Sequence, residues 1–504
     1  MIHDLFTTIL ADLFNPYSLF LALTGVVLGL VFGALPGVSS TMALAVMLPF
    51  TYGMETPAAM TLMLAVFFSS VYAGSVSAIL LNIPGTPGAM ITLLDGHSMA
   101  RKGKAAEAMA YALIASIFGG IIGWVILVLL APVIANYALK FGSAEYAAVV
   151  FFGLALVAYA SSGDTLRGLA AGAIGLIVGL VGRDKITDVP RFTFGTADLQ
   201  GGIDIIPLAI GLFGIAEVLS LLTRSDDDAS QVPESPARTW PKWTALRQEF
   251  PTALRGSVIG TFVGAIPAAG SAIAVALAYA CEKRLSKKPE TFGTGIPRGI
   301  VAPEAANNAC VGGALIPMMT LGIPGDSITA VLIGVLLLHG LRPGPGLFEN
   351  QPDLIITIYG ALFVAILLTA LVAGAIGIPV YRKILAIPQR LLTAGVLILC
   401  LLGAFSVRNA AIDVWVAIFF GAVGFSFIRL NIPVLPLAFG AVLGPLLEEN
   451  LRRTLLIHRD ISVFFDRPIS CVLIMVSLAI LVLPALFSLI SKLRTVRQKT
   501  SSGV

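Results

Sequence analysis

Apolar runs near the length of a membrane span recur along this chain, separated by short polar turns and interrupted by Pro and Gly. The first covers 19–32 and meets Gly33-Ala34-Leu35-Pro36-Gly37, followed by Val38-Ser39-Ser40-Thr41. The next apolar piece, 42–50, is too short to cross alone, since a spanning helix needs about 20 residues. It predicts a half-helix or re-entrant segment. A long run over 57–81 ends at Asn82-Ile83-Pro84-Gly85-Thr86-Pro87-Gly88. Further spans are predicted near 108–131, 145–160, 166–182 and 203–222. A span near 254–280 carries Gly264-Ala265-Ile266-Pro267-Ala268-Ala269-Gly270-Ser271. Beyond it lie Pro303-Glu304-Ala305-Ala306-Asn307-Asn308, Gly322-Ile323-Pro324-Gly325-Asp326-Ser327 and His339-Gly340-Leu341-Arg342-Pro343-Gly344-Pro345. Spans near 353–378, 391–405, 411–428, 433–447 and 469–490 complete the pattern. The fold class it predicts is all-α: a polytopic helical membrane protein of about 11–14 spans with Pro/Gly-broken helices.

Hydropathy collapses over 223–250, around Asp226-Asp227-Asp228, Pro233 and Pro236. This predicts a cytoplasmic linker between a first membrane half, 1–222, and a second half with extra spans, 251–490. A cytoplasmic tail, 491–504, follows. The halves carry related interruptions. Gly29-x-x-x-Gly33-Ala34-Leu35-Pro36-Gly37 matches Gly260-x-x-x-Gly264-Ala265-Ile266-Pro267-Ala268. Asn82-Ile83-Pro84-Gly85 matches Gly322-Ile323-Pro324-Gly325, in the same order. Corresponding broken segments in two halves are the sequence pointer to a transporter's binding site.

The chemistry follows from helix ends. A half-helix starting after Pro36-Gly37 or Pro267-Ala268 presents unpaired N–H groups and a positive dipole end, which suit carboxylates. Ser39, Ser40, Thr41 and Ser271 add hydroxyl donors, and Gly37 and Gly270 allow close backbone approach. The expected substrate-binding set is Gly33, Pro36, Gly37, Ser39, Ser40, Thr41, Asn82, Pro84, Gly85, Thr86, Gly264, Pro267, Gly270, Ser271, Pro324 and Gly325. Glu304, Asn307 and Asn308 form the sharpest polar cluster, and ionisable residues inside a membrane are functional candidates. They are readable as cation ligands or a proton carrier, or as a helix cap with interhelical hydrogen bonds. Asp326 is readable as a helix N-cap or an ion ligand. Asp95, near Arg101, is expected to order a loop.

Composition agrees: of 504 residues 57% are hydrophobic and 12% charged, and mean hydropathy is +0.94. Soluble domains carry roughly 25% charged residues. The net charge of +4 reflects cytoplasmic Lys and Arg, not nucleic-acid binding. The basic Lys492, Arg494, Arg497 and Lys499 place the C-terminus in the cytoplasm. Cys281, Cys310, Cys400 and Cys471 are scattered without metal or disulfide spacing. No Walker A, H-E-x-x-H or G-x-S-x-G motif occurs, so a secondary transporter is expected and an enzyme is not.

Together these residues resemble the large membrane subunit of the tripartite tricarboxylate transporters. The resemblance rests on Gly33-Ala34-Leu35-Pro36-Gly37, on Asn82 to Pro87 with Leu94-Asp95-Gly96, and on Phe292-Gly293. It continues through Pro303 to Asn308, Leu321 to Gly325 and His339 to Pro345. It implies cation-coupled import of citrate-like tri- or other carboxylates across the bacterial cytoplasmic (inner) membrane. It implies a small membrane subunit and a periplasmic solute-binding protein as partners, and no cofactor beyond a coupling Na⁺ or H⁺. Here the second motif reads Pro267-Ala268 and lacks the glycine, so the two halves are not expected to make an identical turn.

Overall fold

The computed structural model describes residues 7, 15–160, 165–184, 186–223, 239–267 and 269–482. Asp226-Asp227-Asp228, most of the expected linker, the expected tail and Ala268 lie outside them. The first helix, α1 (Pro16–Ala34), starts with Pro16 in its first turn and with the Asn15 side chain capping the Tyr17 and Ser18 amides. After a break come α2 (Ser40–Met47), α3 (Thr56–Leu81), α4 (Thr92–Met99) and α5 (Ala105–Ala138). Next are α6 (Ser143–Ala160), α7 (Thr165–Gly179) and α8 (Ile205–Leu222), the last with a π-turn at Ile210–Ile215. The second sequence half begins with α9 (Trp243–Gly264) and α10 (Gly270–Leu285), then α11 (Arg298–Leu321) and α12 (Ser327–Leu338). The remaining helices are α13 (Pro352–Ala375), α14 (Ile378–Leu385), α15 (Gln389–Arg408), α16 (Ala411–Arg429), α17 (Leu435–His458) and α18 (Pro468–Val482).

The fold is that of a polytopic helical membrane protein. Six described helical segments are long and apolar enough to span, and shorter apolar helices accompany them. Two expectations change. The span near 254–280 is two helices, α9 and α10, because the chain leaves helical geometry around Pro267. The span near 433–447 continues to His458 because its charged end has partners of its own, described below.

Packing divides the chain into two compact units, 1–139 with 204–429, and 140–203 with 430–504. In the first unit, α3 and α11 are buried on every face along nearly their whole length. Helices buried on every face carry no amphipathic stripe. Small residues bring their neighbours close. Gly25, Gly29 and Gly33 of α1 lie against Leu62, Val66 and Ser70 of α3. In the same spacing, Gly256, Gly260 and Gly264 of α9 lie against Ala302, Ala306 and Cys310 of α11. Gly119 and Gly123 of α5 meet Ala305 and Ala309 on another face of α11. Lipid is as apolar as leucine, so such close backbone contact, and not hydrophobic exclusion, drives helix association in a bilayer.

The second unit uses the same device, with Gly175 and Gly179 of α7 against Leu437 and Ala441 of α17. A polar loop follows α7, with Gly182 and Arg183 paired antiparallel to Arg191 and Pro190. There Arg452 donates to Asp184 at 2.5 Å, while Arg191 pairs with Glu448 at 2.8 Å and Asp184 at 3.2 Å. The Arg452 hydrogen bond, helped by the Ile186 amide, holds the Asp184 carboxyl well below its usual range. These pairs explain why α17 stays helical through its charged end.

A Cβ on Gly260 would sit 2.6 Å from the Ala306 Cα, a contact with backbone that cannot rotate away. Gly260→Val is expected to destabilise the purified protein by about 1–3 kcal/mol or more. Gly395→Ala, inside α15 where nothing lies within 4 Å of the new methyl, should raise the thermal midpoint slightly, since Ala is favoured over Gly in a helix by about 0.5–1 kcal/mol. Melting curves of both variants in detergent check this.

Candidate functional site

The four interruptions read from the sequence are helix breaks in the first unit, and they converge. At the first, Gly37 takes φ +83° and Ser39 becomes the N-cap of α2. The Ser39 Oγ accepts the Met42 amide at 3.1 Å and donates to Glu217 Oε2 of α8 at 2.6 Å. Thr41 Oγ1 and Ser327 Oγ lie 2.7 Å apart, joining the start of α2 to the start of α12. The α12 end is closed by a capping box: Asp326 Oδ1 accepts the Thr329 amide at 2.8 Å, and the Asp326 amide donates to Thr329 Oγ1 at 2.9 Å. Asp326 therefore sits as an N-cap. Gly85 lies against the Gly33 carbonyl, where a Cβ would be 2.6 Å from the oxygen, and Gly325 lies as closely on Ala314. Pro36 and Pro84 are half-buried at their breaks, and Pro324 is buried at its own.

The α3 and α11 C-termini match. Asn82 closes α3 at φ +61° and Gly322 closes α11 at φ +71°, both left-handed, as helix ends favour. Asn82 is itself exposed, so its part is conformational.

The break between α9 and α10 differs from the first in one respect. The left-handed residue is Gly270, at φ +63°, and not the position aligned with Gly37. Glycine is needed at Gly270 for that backbone angle, since nothing lies within 4 Å of where its Cβ would be. The α10 N-terminus carries no side-chain cap and no acidic residue in its first turn. Of the four helices that start after these breaks, α2 and α12 are capped by their own side chains, α4 has no cap but carries Asp95 in its first turn, and α10 has neither. Gly88, in the break after α3, faces it. A Cβ there would lie 2.8 Å from Ser271 Oγ and would overlap Asn307 Oδ1.

Glu304 lies between Asn307 and Asn308 around α11, and the two Asn side chains, as successive helical residues, point about 100° apart. Glu304 and Asn308 turn toward α5. Ser116 donates to Glu304 Oε2 at 3.0 Å, Asn308 Nδ2 donates to Ser116 Oγ at 2.7 Å, and Thr92 donates to Glu304 Oε1. Glu304 is fully buried, and among the described residues no cation pairs with it. Asn307 faces Gly88 and Ser271. It is 1% exposed, and neither its Oδ1 nor its Nδ2 has a hydrogen-bond partner. Ser40 Oγ, Thr86 Oγ1 and Asn308 Oδ1 are also buried without partners. Leaving a buried polar group unsatisfied costs about 1–3 kcal/mol, so such a concentration near helix breaks marks a place for a ligand. No group of three His, Cys, Asp or Glu residues among the described residues could hold a metal ion.

Asp95 orders a loop, through partners other than Arg101. It is buried and accepts from Tyr279 Oη at 2.9 Å and from the amides of Gly293, Gly295 and Ile296 at 2.9, 2.8 and 3.0 Å. This fastens the segment before α11 to α4 and α10. Sequence reasoning missed Glu217, Thr92, Ser116, Ser327 and Tyr279. Glu217 had a signal, being an acid inside an apolar run. The hydroxyl residues had none, since Ser and Thr are common in membrane helices and mostly bond back to their own backbone. Asp95→Ala should speed amide exchange at Gly293, Gly295 and Ile296 by about tenfold or more, because a hydrogen bond to a charged group is worth about 1.5–3 kcal/mol. Hydrogen-exchange mass spectrometry of the loop would check it.

The chain is 36% identical over 480 residues to the uncharacterized 52.8 kDa protein in the TAR-I ttuC' 3'region of Agrobacterium vitis, covering 95% of each chain. It is 39% identical over 235 residues to the uncharacterized protein in the TAR-II ttuC' 3'region of the same organism, covering 46% of this chain and 96% of that one. No solved structure matches significantly. The profile of the tripartite tricarboxylate transporter TctA family matches residues 19–439. A match over most of the chain, together with the broken-helix motifs, establishes that this protein belongs to the tripartite tricarboxylate transporter TctA family.

Proposed function

We propose that this chain is the large membrane subunit of a binding-protein-dependent secondary transporter importing citrate-like tri- or other carboxylates with cation coupling. It works in the bacterial cytoplasmic membrane with its C-terminus inside. It pairs with a small membrane subunit and a periplasmic solute-binding protein. No catalytic step is assigned to it. The two sequence halves are read as repeats whose breaks meet at one site.

The observation that carries this reading is the uncapped start of α10 beside the unpaired Asn307 amide. A helix N-terminus has up to four N–H groups without intrahelical partners and a partial positive charge. At α2 the end is capped by Ser39, with the Glu217 carboxyl already bonded to it. At α12 the Asp326 carboxylate fills the same role. At α10 no described side chain does, and Ser271 and the Asn307 Nδ2 add donors there. A carboxylate from outside completes the α10 end as Asp326 completes α12. Thr86 and Ser40, each with a buried unpartnered hydroxyl, are suited to the substrate's remaining polar groups.

The test is uptake of labelled citrate into vesicles holding this chain and its small membrane partner, with binding protein supplied outside. An inward Na⁺ gradient is present or absent. Ser271→Ala should weaken half-saturation by roughly 10- to 100-fold, the range for a hydrogen bond to a charged group. Ala269→Asp sets a fixed carboxylate at the open end, which favours folding, and should abolish uptake. Ser39→Ala should cost about 1 kcal/mol of stability and leave half-saturation unchanged. Normal citrate uptake by the Ala269→Asp protein would refute this site.

A further inference from the structure

The Asn307 side chain is unusual in that both of its ends lack a partner. It lies in a helix buried on all sides, is 1% exposed, and has neither Oδ1 nor Nδ2 hydrogen-bonded. Its neighbour Asn308 differs, since its Nδ2 donates to Ser116 and to the Glu304 carbonyl. An amide can be turned about its last bond, exchanging oxygen and nitrogen. Either way, one end is an acceptor that needs a donor or a cation, and the other is a donor that needs an acceptor or an anion. One ligand of one sign cannot satisfy both.

We infer that Asn307 is the coupling residue, its Nδ2 donating to the substrate carboxylate at the start of α10 while its Oδ1 ligates a monovalent cation, Na⁺. The inference rests on the carboxylate reading above and adds how the two ions are tied together. Three observations carry it. The amide faces the uncapped α10 end, which attracts an anion. Ser271 Oγ lies near Asn307 Oδ1, both against Gly88, and supplies a second neutral oxygen. The Glu304 carboxylate, one helical turn before Asn307, already accepts from Thr92 and Ser116. A cation between neutral oxygens is neutralised by the bound carboxylate.

This arrangement makes binding of the two ions mutually dependent. A cation alone leaves Nδ2 unpaired. A carboxylate alone leaves Oδ1 unpaired. With both present, every atom of the amide is satisfied and the charges offset each other at short range, where a low dielectric strengthens the attraction. Linkage then requires that each ion raise the affinity for the other by the same factor. Glu304, Ser116 and Asn308 need not change state for this to occur.

The experiment measures binding of labelled citrate to the purified full-length chain in lipid nanodiscs, with Na⁺ at saturation or replaced by choline. It also measures labelled Na⁺ binding with and without citrate. In the wild type each ion should tighten the other by about tenfold or more, within the range of ordinary allosteric coupling. Asn307→Ala should bring both factors to near one while weaker citrate binding persists. Asn307→Asp keeps an oxygen and loses the donor, so it should retain Na⁺ and lose citrate. Melting curves establish that each variant is folded, and Asn307→Ser replaces the Ala variant if that one is not. A folded Asn307→Ala protein with the wild-type coupling factor overturns the inference and leaves the carboxylate reading standing. Wild-type citrate binding indifferent to Na⁺ does the same. Failure of the wild type to bind citrate at any Na⁺ level brings down the carboxylate reading and this inference with it.

Discussion

A backbone amide or carbonyl inside a bilayer must find a partner within the protein, and this requirement governs the structure. The chain breaks its helices at Leu35–Ser39, after Leu81, after Gly264 and after Leu321. Water cannot satisfy the freed groups in the hydrocarbon layer, so each break must be buried in protein or line a cavity. Here the breaks are brought against one another. Gly85 rests on the Gly33 carbonyl, Thr41 meets Ser327, and Gly88 meets Ser271 and Asn307.

Bringing four broken helices together demands close approach by the unbroken helices that carry them. The glycines at Gly25, Gly29 and Gly33, and at Gly256, Gly260 and Gly264, permit this by removing the side chains between α1 and α3 and between α9 and α11. Packing and site are thus one construction: the last glycine of each ladder is the residue next to the break. A side chain at Gly33 or Gly264 would move the break as well as the helix.

The breaks are alike in backbone and unlike in chemistry. Of the four helices that start after the breaks, α2 and α12 are closed by the chain's own side chains, Ser39 with Glu217 and Asp326 with Thr329, and α4 carries Asp95 in its first turn. The α10 end has neither and faces a buried amide with both atoms unpaired. An amide unsatisfied at both ends thus stands beside an open helix end, and ligand binding is the means by which a membrane protein recovers that energy.

The membrane class, most helix positions and all four interruptions were legible in the sequence. Hydropathy over twenty residues and the conformational limits of Pro and Gly are local properties, and they act wherever the residues stand. The motif matches Gly33 to Pro36 with Gly264 to Pro267, and Asn82 to Gly85 with Gly322 to Gly325, were likewise visible, because a break needs the same residue types in either half. What the tertiary structure decided was pairing. Ser39 bonds Glu217 across 178 residues, Thr41 meets Ser327 across 286, and Ser116 holds Glu304 across 188. No local pattern encodes such distances, since hydroxyls and carboxylates in apolar runs look the same whether paired or not. The division of labour between Asn307 and Asn308 was also beyond the sequence. Adjacent residues of one type differ only in which side of α11 they face, and that face acquires meaning when α5, α9 and α10 pack around it.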